Sequence, residues 1–174
     1  MNLCILDPES YFDNIGQVNS FNKNDGIYVP ENWGNILLME GKFFLMIENS
    51  NNYSYGKAIK YTAPSDTVLL PKMIMNKIGL EYGDFVSIRP VDINQITNIT
   101  FSSPKCITNP IAILEFELKN RNTISLGDMI IVKMFEKTYD FVVMSLITDK
   151  GDTMLGKLYG DNINVNINID VEYY

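Results

Sequence analysis

The 174-residue sequence contains no histidine. That absence removes Ser-His-Asp and Cys-His catalysis, together with the side chain that most often serves as general base near neutral pH. It also removes most zinc sites. The two cysteines, Cys4 and Cys106, lie far apart with neither in a CxxC pair, so a four-thiolate site is excluded too. Nothing in their spacing marks a secreted disulfide framework, and a reducing compartment is the expected environment. Basic charge is scarce as well: 14 Lys and Arg stand against 21 Asp and Glu, a net charge of −7. The cations are scattered, no stripe is set to neutralise a phosphate backbone, and nucleic acid is not an expected partner. An acidic surface is repelled by anionic membranes, and no run approaches the ~20 apolar residues of a membrane span. The opening MNLCILDPESYF has neither the basic flank nor the long apolar run of a signal peptide. No glycine-rich phosphate cradle of the G-x-G-x-x-G or G-x-x-x-x-G-K-[ST] kind occurs. No metal and no cofactor is expected.

What is present is a globular composition, 46% hydrophobic and 20% charged. A chain of this length forms one domain or two small ones and buries roughly 70% of its unfolded surface. Turn signals at Pro8 and NSFNKND (19–25) make residues 1–25 a lead-in. A short strand is expected near Gly26–Val29. Pro30 then opens a short helix over 31–39 that would pack Trp33, Ile36 and Leu37 on one face, weakened by Gly34 and ended by Gly41. KFFLMIEN (42–49) reads as a strand, SNNYSYG (50–56) as a polar turn, and KAIKYTA (57–63) as the returning strand. A short apolar strand stops at Pro71. The three-to-four spacing of Met73, Ile74, Lys77 and Ile78 predicts a helix ended by Gly79, and a strand follows from Phe85. Residues 92–104 look polar and turn-rich, with strand content in TNITF.

Thr108 or Asn109 suits a helix cap and Pro110 the first turn of a helix over 111–120, with Leu114 and Leu118 on its buried face. RNTIS reads as a linker, MIIVKMF (129–135) as a strand, and EKTYDFVVMSLI (136–147) as its hairpin partner. MLGKLY and the alternating NINVNINI (162–169) read as further strands, the latter half-buried. One internal echo stands out: a short helix, then a turn ending in Gly-Asp, then a strand, at 73–88 and more loosely at 113–132. Glycine admits positive φ and aspartate accepts main-chain N–H groups in a turn, so Gly83-Asp84 and Gly127-Asp128 read as turn geometry rather than metal carboxylates. Many short strands favour a small barrel.

Candidate contact residues are few. Tyr53 and Tyr55 sit on what reads as a polar loop tip, and Glu81, Tyr82 and Asp84 make an acidic-aromatic spot beside a turn. Trp33, Phe43 and Phe44 read as core. Cys106, just ahead of the predicted helix, reads as a small, partly buried hydrophobe rather than a reactive thiolate.

The order of several pieces resembles the ubiquitin-fusion-degradation adaptor family. The similarity is densest at Ile107-Thr108-Asn109-Pro110, Ala112, Leu114-Glu115, Leu118-Lys119-Asn120, Leu126 and Gly127-Asp128. Val68 to Asn76, including Leu70-Pro71, resembles the family's leucine–proline turn and methionine-rich helix, and Leu80, Gly83-Asp84 and Val86 its next turn and strand. Val29-Pro30, the stretch ending in Glu48-Asn49, Tyr139 and Val142-Val143 extend the likeness, so that clear matches run from about 29 to 143. Ser125-Leu126 replaces the family's threonine pair, and Glu40-Gly41-Lys42-Phe43-Phe44 replaces its tyrosine–proline–methionine entry.

The resemblance implies a mainly β fold with short helices: a double-psi β-barrel subdomain over 26–90 and a smaller α+β (mixed barrel) subdomain over 91–174. It implies a non-catalytic adaptor module that binds ubiquitin or polyubiquitin. Its further partners would be an AAA ATPase of the valosin-containing-protein type and the nuclear-protein-localisation partner, in the cytoplasm and nucleus. Ubiquitin's apolar patch is ringed by basic residues, which suits an acidic partner. The family's long tail, which carries the ATPase-binding segments, has no counterpart before Val171-Glu172-Tyr173-Tyr174, so ubiquitin binding without direct motor recruitment is expected. Two alternatives stand beside this reading. One is a structural or host-mimicking domain, such as a virus could carry, with no role toward ubiquitin. The other is a double-psi barrel enzyme using paired carboxylates.

Overall fold

Alternation of inward aliphatic and outward mixed residues builds the first half of the molecule. The computed structural model describes residues 2–50, 52–103, 109–134, 137–158 and 163–169, and the chain forms two units, 1–92 and 93–174. Both are mainly β with short helices. Unit 1 contains β1 (Asn2–Ile5), α1 (Pro8–Tyr11), α2 (Ile15–Phe21), β2 (Gly26–Pro30), α3 (Glu31–Glu40), β3 (Phe44–Asn49), β4 (Asn52–Ala63), β5 (Thr67–Val68), α4 (Lys72–Ile78) and β6 (Phe85–Val91). The strand order is β2-β4-β3-β6-β1-β5. Tyr28 and Leu69 join the two ends by exchanging main-chain hydrogen bonds of 3.2 and 3.0 Å, leaving a nearly closed barrel. Leu3, Ile5, Ile27, Val29, Leu45, Ile47, Val86 and Ile88 point inward. Trp33 and Leu37 of α3 and Ile74, Met75 and Ile78 of α4 complete that core.

Residues 2–25, read above as a lead-in, are part of this barrel unit. β1 runs antiparallel to β6 and parallel to β5, with Leu3 and Ile5 in the core. Pro8 opens α1, capped by the Asp7 carboxylate, which accepts from Glu9 N at 2.9 Å. Tyr11, Phe12 and Phe21 pack with Tyr28 as a second, aromatic cluster, ring centroids 5.1 to 6.0 Å apart. A four-residue strand with one polar neighbour gives little periodic signal of its own, so β1 is decided by its distant partners.

Other expectations change in detail. α3 buries Trp33, Gly34 and Leu37, whereas Ile36 faces solvent. Gly34 packs against the Tyr61 ring, where a Cβ would lie 3.2 Å from the nearest ring atoms. Phe43 and Phe44 are half-buried instead of core. The β3–β4 hairpin is tight, Asn49 pairing with Asn52, and Tyr53 and Tyr55 therefore lie within β4 rather than on a loop.

Unit 2 contains β7 (Ile96–Ser103), α5 (Pro110–Leu118), β8 (Thr123–Ser125), β9 (Met129–Met134), β10 (Lys137–Thr148), β11 (Gly151–Asp152), β12 (Leu155–Lys157) and β13 (Asn164–Ile169). The main sheet has the order β11-β10-β7-β13, with β9 also on β10, and β8 pairs with β12. Phe101, Phe141, Ile130 and Val143 form its core with Leu114 and Leu118 of α5. β7 is a full eight-residue strand that contains the strand expected in TNITF and extends beyond it on both sides, and part of RNTIS is β8 rather than linker. Asn109 makes no side-chain cap. It adopts φ 53°, a left-handed geometry that asparagine tolerates, just before Pro110. Readings that rest on Cys106, Ile107, Thr108 and Glu136 lie outside the described residues.

The Gly-Asp echo is one turn built twice. Gly83 and Gly127 have φ of 92° and 79°. Asp84 N donates to Glu81 O at 3.2 Å while its carboxylate accepts from Glu81 N at 2.9 Å; Asp128 does the same with Ser125, at 3.0 and 2.8 Å. Each turn then clips a neighbouring strand. Gly83 N and Asp84 O bond to Ile5, and Gly127 N and Asp128 O bond to Val143, all at 2.8 to 2.9 Å. A side chain at either glycine would force an L-residue into the left-handed region. Gly83→Ala and Gly127→Ala should each lower the unfolding free energy by about 1 kcal/mol or more, and Asp128→Ala by about 1 kcal/mol. Urea midpoints at unchanged slope measure this; midpoints equal to the parent would contradict it.

Candidate functional site

The outer face of the unit 1 barrel carries its exposed aromatic groups. Residues paired across strands share a face, so the register writes that face out in rows. Tyr53, Glu48, Ser87 and Asn2 form one row across β4, β3, β6 and β1; Tyr55, Met46 and Arg89 form the next. Phe85 and Cys4 pair on the other side of the first row. Tyr53 is 56% exposed and Phe85 70%, whereas Met46, beneath Tyr55 and Arg89, is only 8% exposed. The Tyr53 and Tyr55 rings meet edge to face, centroids 5.7 Å apart, and Arg89 Nη2 lies 3.0 Å from Met46 Sδ. The aromatic pair is thus fixed on a hydrogen-bonded strand, which lowers the entropy lost when it is covered. Burial pushes the Tyr55 phenol up, helped by Tyr53 and Glu48 and opposed by Arg89.

The second expected spot lies at the entry to β6. Tyr82 packs on the unit 1 core, and its phenol is pushed up by burial, then by the carboxylates of Asp7 and Glu9. Glu81 is exposed. Asp84 is committed to its turn, one carboxylate oxygen held by Glu81 N, so it shapes the spot more than it offers a free charge. Cys4 Sγ lies 3.6 Å from Gly83 O, behind this turn. The structure joins the two spots through Phe85, which follows Asp84 directly and shares the outer face with Ser87, Glu48 and Tyr53. Phe85, Met46 and Arg89 escaped the sequence reading. The signal was there: in FVSIRPV the buried Val86 and Ile88 alternate with Phe85, Ser87 and Arg89, which sets the latter three outward.

Pro71, Gly83, Asn109, Pro110, Leu114, Leu118, Gly127 and Asp128 all act in the scaffold. Pro71 is the N-cap of α4, Pro110 opens α5, and Leu114 and Leu118 are buried. Among the described residues no group of three Cys, Asp or Glu side chains could hold a metal ion. No described helix is long and apolar enough to cross a bilayer.

Comparison with known proteins adds a relationship to this geometry. Over 117 residues the chain is 31% identical to the mouse and human proteins named Ubiquitin recognition factor in ER-associated degradation protein 1, which covers 65% of this chain and 38% of theirs. The chain has distant homologues named for ubiquitin. The Caenorhabditis elegans Ubiquitin fusion degradation protein 1 homolog is 24% identical over 139 residues, 75% of this chain and 41% of that protein. The chain spans about two fifths of the length of these curated relatives. No protein-family model matches it.

The environment of Tyr55 has a consequence for stability. Its phenol is held above the ordinary value of 10.0, so the folded state keeps the proton more tightly than the unfolded state. The associated stability is fully present below that ordinary value and is lost as pH rises through the raised one. Urea unfolding of Tyr55→Phe should therefore show a shallower loss of stability above pH ~10 than the parent. Parallel alkaline profiles would contradict the assignment.

Proposed function

We propose that the chain is a non-catalytic ubiquitin-recognition module of the ubiquitin-fusion-degradation adaptor family. The observation that carries this reading is the 31% identity over 117 residues to a protein named for ubiquitin recognition. The scaffold turns that carry the sequence resemblance and a net charge of −7 support it. The proposed contact surface is the outer face of unit 1: Tyr53, Tyr55 and Phe85 as aromatic anchors, with Glu48, Glu81 and Tyr82 beside them. Exposed aromatic groups on a rigid sheet are the residue types that dominate interface energetics. Acidic neighbours favour a ligand whose apolar patch is ringed by lysine and arginine, chiefly through encounter rate and orientation.

The topology of unit 1 supports the double-psi reading of its barrel. Exchanging β1, β2 and β3 with β4, β5 and β6 reproduces every strand neighbour, including the closing β2–β5 bridge. It also exchanges the two parallel pairs, β2 with β4 and β1 with β5. Each half then holds a helix with proline at its N-cap and left-handed glycine at its C-cap, α3 between Pro30 and Gly41 and α4 between Pro71 and Gly79. In the adaptor role, unit 1 would hold ubiquitin or polyubiquitin. A valosin-containing-protein-type AAA ATPase and the nuclear-protein-localisation partner would act on the attached substrate, in the cytoplasm and nucleus.

Titrating tetraubiquitin into the isotopically labelled chain tests the proposal. Resonances of Tyr53, Tyr55, Phe85 and Arg89 should shift, and Tyr53→Ala or Phe85→Ala should weaken binding about tenfold, ~1.4 kcal/mol. No shift at millimolar ubiquitin would reject the function. Shifts confined to unit 2 would reject the surface.

A further inference from the structure

Unit 2 carries a separate apolar groove that the reading above does not use. It arises from a β-bulge. The β10–β7 register passes from Val143↔Phe101 to Ser145↔Thr100, which leaves Met144 as the extra residue. A bulge breaks the ladder and re-aims a side chain, and here Met144 is 54% exposed. On one side of the bulge the Gly127-Asp128 turn is clipped to Val143. On the other, Thr153 N donates to Leu146 O at 3.0 Å. Leu126 N bonds to Met154 O at 2.9 Å and ties these two attachments together across the gap. The result is a cavity of about 310 Å³ lined by Leu126, Met144, Ser145, Leu146, Asp152 and Met154. Met154 is 69% exposed, and Met129 and Ile131 continue the apolar surface along β9.

The described lining of this groove carries a negative charge. Asp152 is the charged side chain among the described lining residues, and its carboxylate has no hydrogen bond or ion pair with any of them. The neighbouring cation Lys150 bonds to Asn94, its Nζ 3.1 Å from Asn94 Oδ1. Asp128 beside Leu126 is committed to its turn, as Asp84 is, and along β9 the surface is mixed, with Asp140 opposite Ile131 and exposed Lys133 two residues on. We propose that this groove docks an extended peptide segment in which a large aliphatic side chain is followed by lysine or arginine. The volume sits at the small end of ligand pockets, ~300 Å³, which suits one or two side chains rather than a folded surface. Methionines on two walls re-pack around different aliphatic shapes, which suits variable sequence. Asp152 then supplies the charge preference.

The proposal is independent of ubiquitin recognition, and its first test contains no ubiquitin. The probe is a fluorescein-labelled octapeptide of alternating leucine and lysine, with serine–lysine and leucine–glutamate octapeptides as comparisons, followed by fluorescence anisotropy on the whole chain. The leucine–lysine peptide should bind at least tenfold more tightly than either comparison. Met144→Ser combined with Met154→Ser should remove most of that advantage, and Asp152→Asn should reduce it several-fold. Both methionines are exposed, and the Leu126–Met154 link runs through main chain. Should the double variant nevertheless unfold, Asp152→Asn alone decides the charge component by the same ratio. Equal binding of the serine–lysine peptide would show charge attraction alone and overturn the proposal. Displacement of the bound peptide by tetraubiquitin would assign the groove to ubiquitin instead and would also overturn it.

Discussion

The exchange of two main-chain hydrogen bonds between Tyr28 and Leu69 is the constraint on which unit 1 depends. It joins the ends of a six-strand order and so fixes an inside and an outside for every strand. Leu45 and Ile47 then have one place to go, and so do Tyr53, Tyr55 and Phe85. The joint is braced from outside as well. Tyr28 packs with Tyr11, Phe12 and Phe21, and Lys60 lies over its ring at 5.2 Å. The N-terminal residues are thereby bound twice, once through β1 in the sheet and once through the aromatic cluster at the seam.

The second organising device is the Gly-Asp turn. In both units it delivers the chain into a strand while bonding to a strand that is remote in sequence, Ile5 in one case and Val143 in the other. A turn that caps its own main chain with an aspartate oxygen, and offers its remaining groups to a neighbour, leaves few polar atoms unpaired where strands converge. In unit 2 the same clip at Val143 sits directly before the Met144 bulge, so the turn that organises the sheet also forms one wall of the groove.

Much of this was legible because it is local. Helix α4 announces itself by Pro71, a three-to-four apolar repeat and Gly79. The β9–β10 hairpin and the alternating β13 show the period of a strand, and β13 is half-buried on alternate residues. The Gly-Asp echo appeared from residue types alone. What escaped is what depends on distant partners. β1 is a strand because Leu3 meets Val86, and β8 because Thr123 meets Lys157; neither segment is long enough to show a period. Tyr53 and Tyr55 were singled out, but the asparagine-rich surroundings read as a loop where the chain instead turns tightly between Asn49 and Asn52. Phe85 was missed because the strand from Phe85 was placed without assigning its two faces, which the alternation with buried Val86 and Ile88 sets.

On the proposed function, the outer face of the barrel, rather than the groove of unit 2, faces ubiquitin. Hydrogen–deuterium exchange of the whole chain, with and without tetraubiquitin, distinguishes the two surfaces. Slower exchange in Asn52–Ala63 and Phe85–Val91, with Met129–Met134 unchanged, is the predicted result. Slower exchange confined to unit 2, or none in either unit, would contradict it.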